Sequence, residues 1–149
     1  MQLDQRTEKN ISTLVPKAQA VARTFIISAS EAMRAKGVEV KIISGTRTYA
    51  EQNALYAKGR TAPGPRVTNA RGGYSNHNFG VAFDIGLFKA GKYLEESPLY
   101  AECGKIGEAC GLEWGGRWKS FTDEPHYQLK TGLTLAQMRD RIAQGTPIV

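Results

Sequence analysis

Only two histidines occur in the 149-residue chain, and each stands among carboxylates. His77 lies in "YSNHNFGVAFD", ahead of Asp84, and His126 lies in "FTDEPHYQL", just behind Asp123 and Glu124. Two imidazoles and one carboxylate are a common ligand set for zinc in hydrolytic sites, with a fourth position left for water. Such a set cancels only part of the ion's charge. The ion stays a strong Lewis acid and can bring its water's pKa toward about 7. A second carboxylate nearby could accept that water's proton and pass it to a leaving amine. A plainer reading stands beside this one: each histidine satisfies local hydrogen bonds, and the carboxylates are surface charges. Composition and spacing leave both open.

The spacing constrains the local backbone. Along a regular strand, residues seven apart point to opposite faces, so His77 and Asp84 cannot share an ion from one strand. The remedy is that "SNHN" is loop and only "FGVAFD" is strand, with Gly80 allowing a bend or a close approach. Pro125 disfavours helical backbone at Glu124, so "DEPH" is expected as a tight turn or an extended entry into "HYQLK". Such a turn brings Asp123 back beside the site while His126 points inward and Glu124 faces elsewhere.

The elements that must position these groups follow from periodicity and punctuation. Apolar residues recur at helical spacing from Pro16 to Lys36 and stop at Gly37. "VEVKIIS", Val38 to Ser44, is β-branched and alternating, as a strand is. Thr48 and Glu51 form a capping box for a helix that closes at Gly59. A Gly- and Pro-rich loop follows, "GRTAPGPRVTNARGGYS", of the kind that is often functional in compact domains. "FGVAFDIGLF" reads as a second strand. "SPLYAECGKIGEACG" reads as a helix with Ser97 as cap, Pro98 at its first position and Gly111 past its end. "LEWGGRW" and "HYQLK" are extended candidates, and a last helix is capped by Thr134 and Gln137 and stopped at Gly145. No repeat or interdomain linker divides the chain. The expected assembly is one α+β domain over residues 1–149, a small and mainly antiparallel sheet flanked by helices.

Composition narrows the function classes. Hydrophobic content of 41% and charged content of 23% are those of an ordinary globular protein. No uninterrupted apolar tract of about 18 residues exists, so no membrane insertion is expected. The polar start "MQLDQRTEKN" has no apolar centre of the secretory type, which implies synthesis in the cytoplasm. The net charge of +6 favours an anionic partner: nucleic acid, anionic lipid or wall polymer. The basic residues are dispersed rather than run together, which argues against a nucleic-acid partner. Cys103 and Cys110, seven apart on one helix, are separated by about 10 Å, too far for a disulfide. A Cys2His2 zinc site is the sharper alternative for them, at an unusual spacing.

The two histidine segments also carry a resemblance. Ser75, His77, Gly80, Ala82 and Asp84 match S-x-H-x-x-G-x-A-x-D without a gap, and Asp123 and His126 match an acidic residue three before a histidine. "EWGGRWKSF" from Glu113 supplies the tryptophan-glycine stretch before the second motif. "SGTRTYAEQNALYAKGR", Ser44 to Arg60, is similar to an S-G-x-R-[ST] segment and its following helix. In this order the motifs resemble those of the zinc D-alanyl-D-alanine carboxypeptidase and L-alanyl-D-glutamate endopeptidase family, and most of all the branch that includes many phage endolysins. The resemblance implies a metallopeptidase fold of that family, with one zinc ion held by His77, Asp84 and His126. It implies Asp123 as general base and acid, Arg47 as oxyanion stabiliser or substrate-carboxylate grip, and Ser75 as a substrate-side or turn-closing residue. The implied substrate is the peptidoglycan stem peptide, cut at L-alanyl-D-glutamate by a monomer that reaches the wall through a holin-like pore. A D-alanyl-D-alanine carboxypeptidase, a bacterial wall-remodelling enzyme and a non-catalytic zinc module are the alternatives within the same residues.

Overall fold

A computed structural model describes residues 1–149. The chain runs α1 (Gln5–Ser12), α2 (Pro16–Arg34), β1 (Val38–Ser44), α3 (Tyr49–Ala57), β2 (Ala82–Lys89), β3 (Lys92–Leu94), α4 (Leu99–Ala109), β4 (Glu113–Trp114), β5 (His126–Gln128) and α5 (Leu135–Gln144). Single 3-10 turns at Asn76–Asn78 and Gly115–Arg117 interrupt the loops. The strands form one open antiparallel sheet in the order β1-β2-β5-β4, with β3 paired to the far end of β2. This is the α+β architecture expected from the sequence.

α2 begins with Pro16 at its first turn, where the missing N–H costs nothing. Its buried stripe of Ala18, Ala22, Phe25, Ile26, Ala29 and Met33 follows the helical period and covers one face of the sheet. The matching sheet residues are Phe83, Ile85 and Leu87 of β2 and Tyr127 of β5, all essentially without exposure. Tyr127 stacks on Phe83 at 5.6 Å and lies 4.6 Å from Phe25. Strand alternation therefore sends Asp84, between Phe83 and Ile85, to the opposite face. His126, before Tyr127, goes with it. α4 reaches the sheet closely because it carries Gly104 and Gly107 where a Cβ would collide with the Trp114 indole and the Tyr127 ring.

α1 has no counterpart in the apolar periodicity. Thr7 and Ile11 alone are buried, and the rest of its face is polar. It is held by hydrogen bonds to the edge of the sheet: Ile42 N donates to Thr7 Oγ1 at 3.1 Å, and Asn10 Nδ2 donates to Ile42 O at 2.9 Å. Those bonds satisfy an edge strand that would otherwise offer open backbone groups.

Three expected elements are shorter than their sequences suggest. β2 starts at Ala82 rather than Phe79, because Phe79 follows a 3-10 turn and Gly80 takes a left-handed φ of 73°. "LEWGGRW" is extended only at Glu113–Trp114 and then coils into a 3-10 turn. α4 begins at Leu99, one residue after Pro98, with Ser97 Oγ accepting from Leu99 N at 3.1 Å. The capping boxes at Thr48 and Thr134 form as expected, and Gly145 closes α5 in left-handed conformation. No helix is long and apolar enough to cross a membrane.

Candidate metal and catalytic site

Asp84 is directly opposite His126 in the β2–β5 register, and β1 ends beside it at Ser44. Cross-strand neighbours of this kind bring side chains together without any loop. Asp84 Oδ1 lies 3.1 Å from His126 Nδ1. His77 arrives from the 3-10 turn before β2, with its Nε2 3.2 Å from the same oxygen. The bend expected between His77 and Asp84 is thus the device that lets both face one point. Donor atoms of His77, Asp84 and His126 all lie within 4.8 Å of one another, the convergence a single metal ion requires. Asp123 stands at the same groove but outside this tight set.

Each ligand candidate is braced. Ser75 Oγ accepts from His77 N at 3.2 Å, and Asn78 Oδ1 accepts from Ser75 N and Gly73 N, which closes the turn from both ends. Arg47 N donates to His77 O at 2.8 Å, and Asn78 Nδ2 donates to Arg47 O at 2.9 Å. The imidazole of His77 donates from Nδ1 to Gly45 O at 2.9 Å, so Nε2 is the atom left for an ion. His126 uses the other pattern, with Nε2 2.7 Å from Gln128 Oε1 and Nδ1 toward Asp84. Both rings are buried, with 3% and 5% exposure.

The electrostatics match the geometry. Burial disfavours the Asp84 charge, but hydrogen bonds from His126 and His77 outweigh it and hold the carboxyl well below its ordinary range. Burial works against a charged His126 too, yet the Asp84 carboxylate raises that imidazole overall. Asp123 is pushed up, first by burial and then by the negative charge of Asp84. Arg47 is lowered by burial, with Asp84, Glu51 and Asp123 pulling the other way. Its Nε is buried without a hydrogen-bond partner.

These groups lie in one groove. The loop residues Val67 to Ala70 and Tyr74 line it, as do Arg47, Ser75 and Asp123, and Trp118 and Phe121. The "DEPH" segment does form a turn, with His126 N donating to Asp123 O at 3.1 Å. Glu124 is outside the lining. Its carbonyl instead accepts from Trp114 Nε1 at 2.7 Å, which makes Trp114 a core residue. Trp118 faces the groove, its indole 5.0 Å from the His126 ring and its Nε1 donating to Glu113 at 2.9 Å. The sequence analysis gave no role to Gln128 or Asn78 and held Gly45 only as part of the S-G-x-R-[ST] segment. A His-x-Gln pattern on one strand, which places both side chains on one face, was the available signal for Gln128. The cysteines take no part: both are free, and burial pushes the Cys103 thiol up to about 12.

Comparison with known proteins places this geometry. Residues 68–129 match a family described as D-alanyl-D-alanine carboxypeptidase. The peptidoglycan L-alanyl-D-glutamate endopeptidase CwlK of Bacillus subtilis is 40% identical over 63% of this chain and 62% of its own length. The L-alanyl-D-glutamate peptidase of Listeria phage A118 is 29% identical over 83% of this chain and 40% of its own length. The chain therefore spans less than two thirds of either relative. Of these two the bacterial protein shares more identity. Among solved structures, the Serratia marcescens L-Ala D-Glu endopeptidase ChiX superposes with a TM-score of 0.64 at 25% identity, covering 89% of this chain and 92% of that one. The D,D-pentapeptidase VanY shares the fold at 18% identity and a TM-score of 0.51, covering 91% of this chain and 81% of that one. In motif order, sheet topology and the convergence of two histidines on one aspartate, the chain is similar to the D-alanyl-D-alanine carboxypeptidases and L-alanyl-D-glutamate endopeptidases.

Proposed function

We propose that the chain is a zinc peptidase that hydrolyses the L-alanyl-D-glutamate bond of peptidoglycan stem peptides. The observation that carries the reading is the meeting of His77, Asp84 and His126 donor atoms within 4.8 Å, in a groove shared with Asp123 and Arg47. Two neutral imidazole nitrogens and one carboxylate oxygen suit zinc in both ligand type and number. The identity to CwlK and the structural likeness to ChiX favour the L-alanyl-D-glutamate bond over D-alanyl-D-alanine.

A bound zinc ion supplies Lewis acidity to the scissile carbonyl and makes water acidic enough to be deprotonated near neutral pH. Asp123, which lines the same groove, takes that proton and delivers it to the departing D-glutamate nitrogen. Arg47, which lines the groove, offers its guanidinium to the charge that develops on the carbonyl oxygen or to a carboxylate of the stem. Ser75 acts through the His77 turn, since its hydroxyl oxygen accepts from the His77 backbone. The basic surface favours approach to a substrate rich in carboxylates.

We place the activity in the lysis of a bacterial wall at the end of phage infection, with a holin-like pore giving access and a monomer as the working form. The phage A118 relative supports that setting. Mass spectrometry of fragments released from purified peptidoglycan tests the bond. New amino-terminal D-glutamate, abolished by a chelator and restored by zinc, is the expected result. Release of free D-alanine would assign the carboxypeptidase reaction, and chelator-resistant cleavage would remove the metal.

A further inference from the structure

We propose that Gln128 is a positioning residue that fixes His126 in the tautomer able to ligate an ion through Nδ1. The inference rests on the zinc reading above and concerns a residue outside both motifs that define the site.

Gln128 sits where the sheet is most constrained. Its backbone pairs with Ala82 of β2 on one side and Glu113 of β4 on the other. Between it and His126, Tyr127 is anchored in the core against Phe25 and Phe83. Strand alternation sends His126 and Gln128 to the same face, and Gln128 Oε1 lies 2.7 Å from His126 Nε2. An amide oxygen only accepts, so Nε2 carries the hydrogen. Both His126 nitrogens face acceptors, Nε2 toward Gln128 and Nδ1 toward Asp84 Oδ1 at 3.1 Å; with an ion on the Asp84 side, the one N–H of a neutral imidazole belongs on Nε2, and Nδ1 is the atom left to ligate. His77 shows the mirror arrangement, donating from Nδ1 to the Gly45 carbonyl and presenting Nε2. The two rings thus offer different atoms to one point, and each owes its choice to a separate acceptor.

Without the amide, the buried Nε2–H has no partner, and the ring can trade tautomers or turn over. Partners of this kind typically contribute about 10–100-fold to metal affinity. Gln128→Met keeps the length and removes the acceptor, whereas Gln128→Glu keeps an acceptor and makes it stronger.

The test is the zinc dissociation constant of the parent and both variants, by competition with a chelating dye. The metal-free melting temperature is taken beside it, together with the NMR signal of the His126 Nε2 proton in the zinc-loaded protein. Gln128→Met should bind zinc about 10–100-fold more weakly and lose the slowly exchanging proton. Gln128→Glu should bind at least as tightly as the parent and keep that proton. Parent-like affinity in Gln128→Met, or a Gln128→Glu protein as weak as Gln128→Met, would overturn the inference while leaving the zinc reading intact. If Gln128→Met does not fold, the Gln128→Glu result decides alone. A parent that binds no zinc would remove the zinc reading and this inference together.

Discussion

Asp123 and Glu124 are adjacent carboxylates of the same turn, and only geometry separates their roles. The Asp123 side chain lines the groove with the two histidines, while Glu124 contributes its backbone carbonyl to the Trp114 indole. Burial and the charge of Asp84 raise the Asp123 carboxyl, and Asp123 is the group to which the proposed mechanism gives the proton transfer. Asp123→Asn should therefore retain one zinc per chain and lose about 10²–10⁴-fold in turnover, the usual worth of general acid–base catalysis. Glu124→Gln should change turnover by less than about twofold, as surface changes away from special features do. Rates on a stem-peptide substrate, with metal content measured on the same samples, check both at once. Equal losses in the two variants would reassign the base.

At the scale of elements, the site depends on a helix that periodicity does not reveal. The capped helices and the strand Val38–Ser44 were legible because Thr48–Glu51, Thr134–Gln137 and the alternating "VEVKIIS" are local signals. The triad was legible through its motif, and its bend through Gly80. α1 was not, since Thr7 and Asn10 act by hydrogen-bonding the β1 edge rather than by burying an apolar stripe. Gln128 escaped for a related reason: its role lies in one cross-face contact with His126, which no composition records. The end of α1 also packs on the turn that orients His77. A Cβ on Gly45 would run into Thr13 Oγ1 and come within 2.6 Å of Asn10 O. Gly45 O is the acceptor for His77 Nδ1, so any displacement there is passed to the ring. Gly45→Ala should cost about 1–3 kcal/mol by overpacking, and it should weaken zinc binding as well. Urea melts with and without zinc separate the two effects. A variant that loses stability but keeps parent affinity would show that the turn yields without moving the imidazole.

For the molecule as a whole, an ion at this site would join segments that the chain otherwise brings together only through the sheet. His77 and Asp84 are 7 residues apart, and Asp84 and His126 are 42 apart, so one ion ties the 3-10 turn, β2 and β5. The unfolded chain holds no such arrangement, and ligand that binds only the folded form adds stability by mass action. Free zinc at one hundred times its dissociation constant corresponds to about 2.7 kcal/mol. For a domain of this size that raises the melting temperature by roughly 5–11 °C. The gain should vanish in His126→Ala, which removes a proposed ligand, and persist in Asp123→Asn, which removes only the proposed proton carrier. The contrast matters because zinc can also bind exposed carboxylates, and that kind of binding would leave the two variants alike. A scan of melting temperature against zinc concentration in the parent and both variants distinguishes a three-ligand site joining distant segments from diffuse attraction to the surface. No shift in the parent at saturating zinc would mean that the convergence of the two imidazoles and Asp84 is a hydrogen-bond cluster and holds no metal.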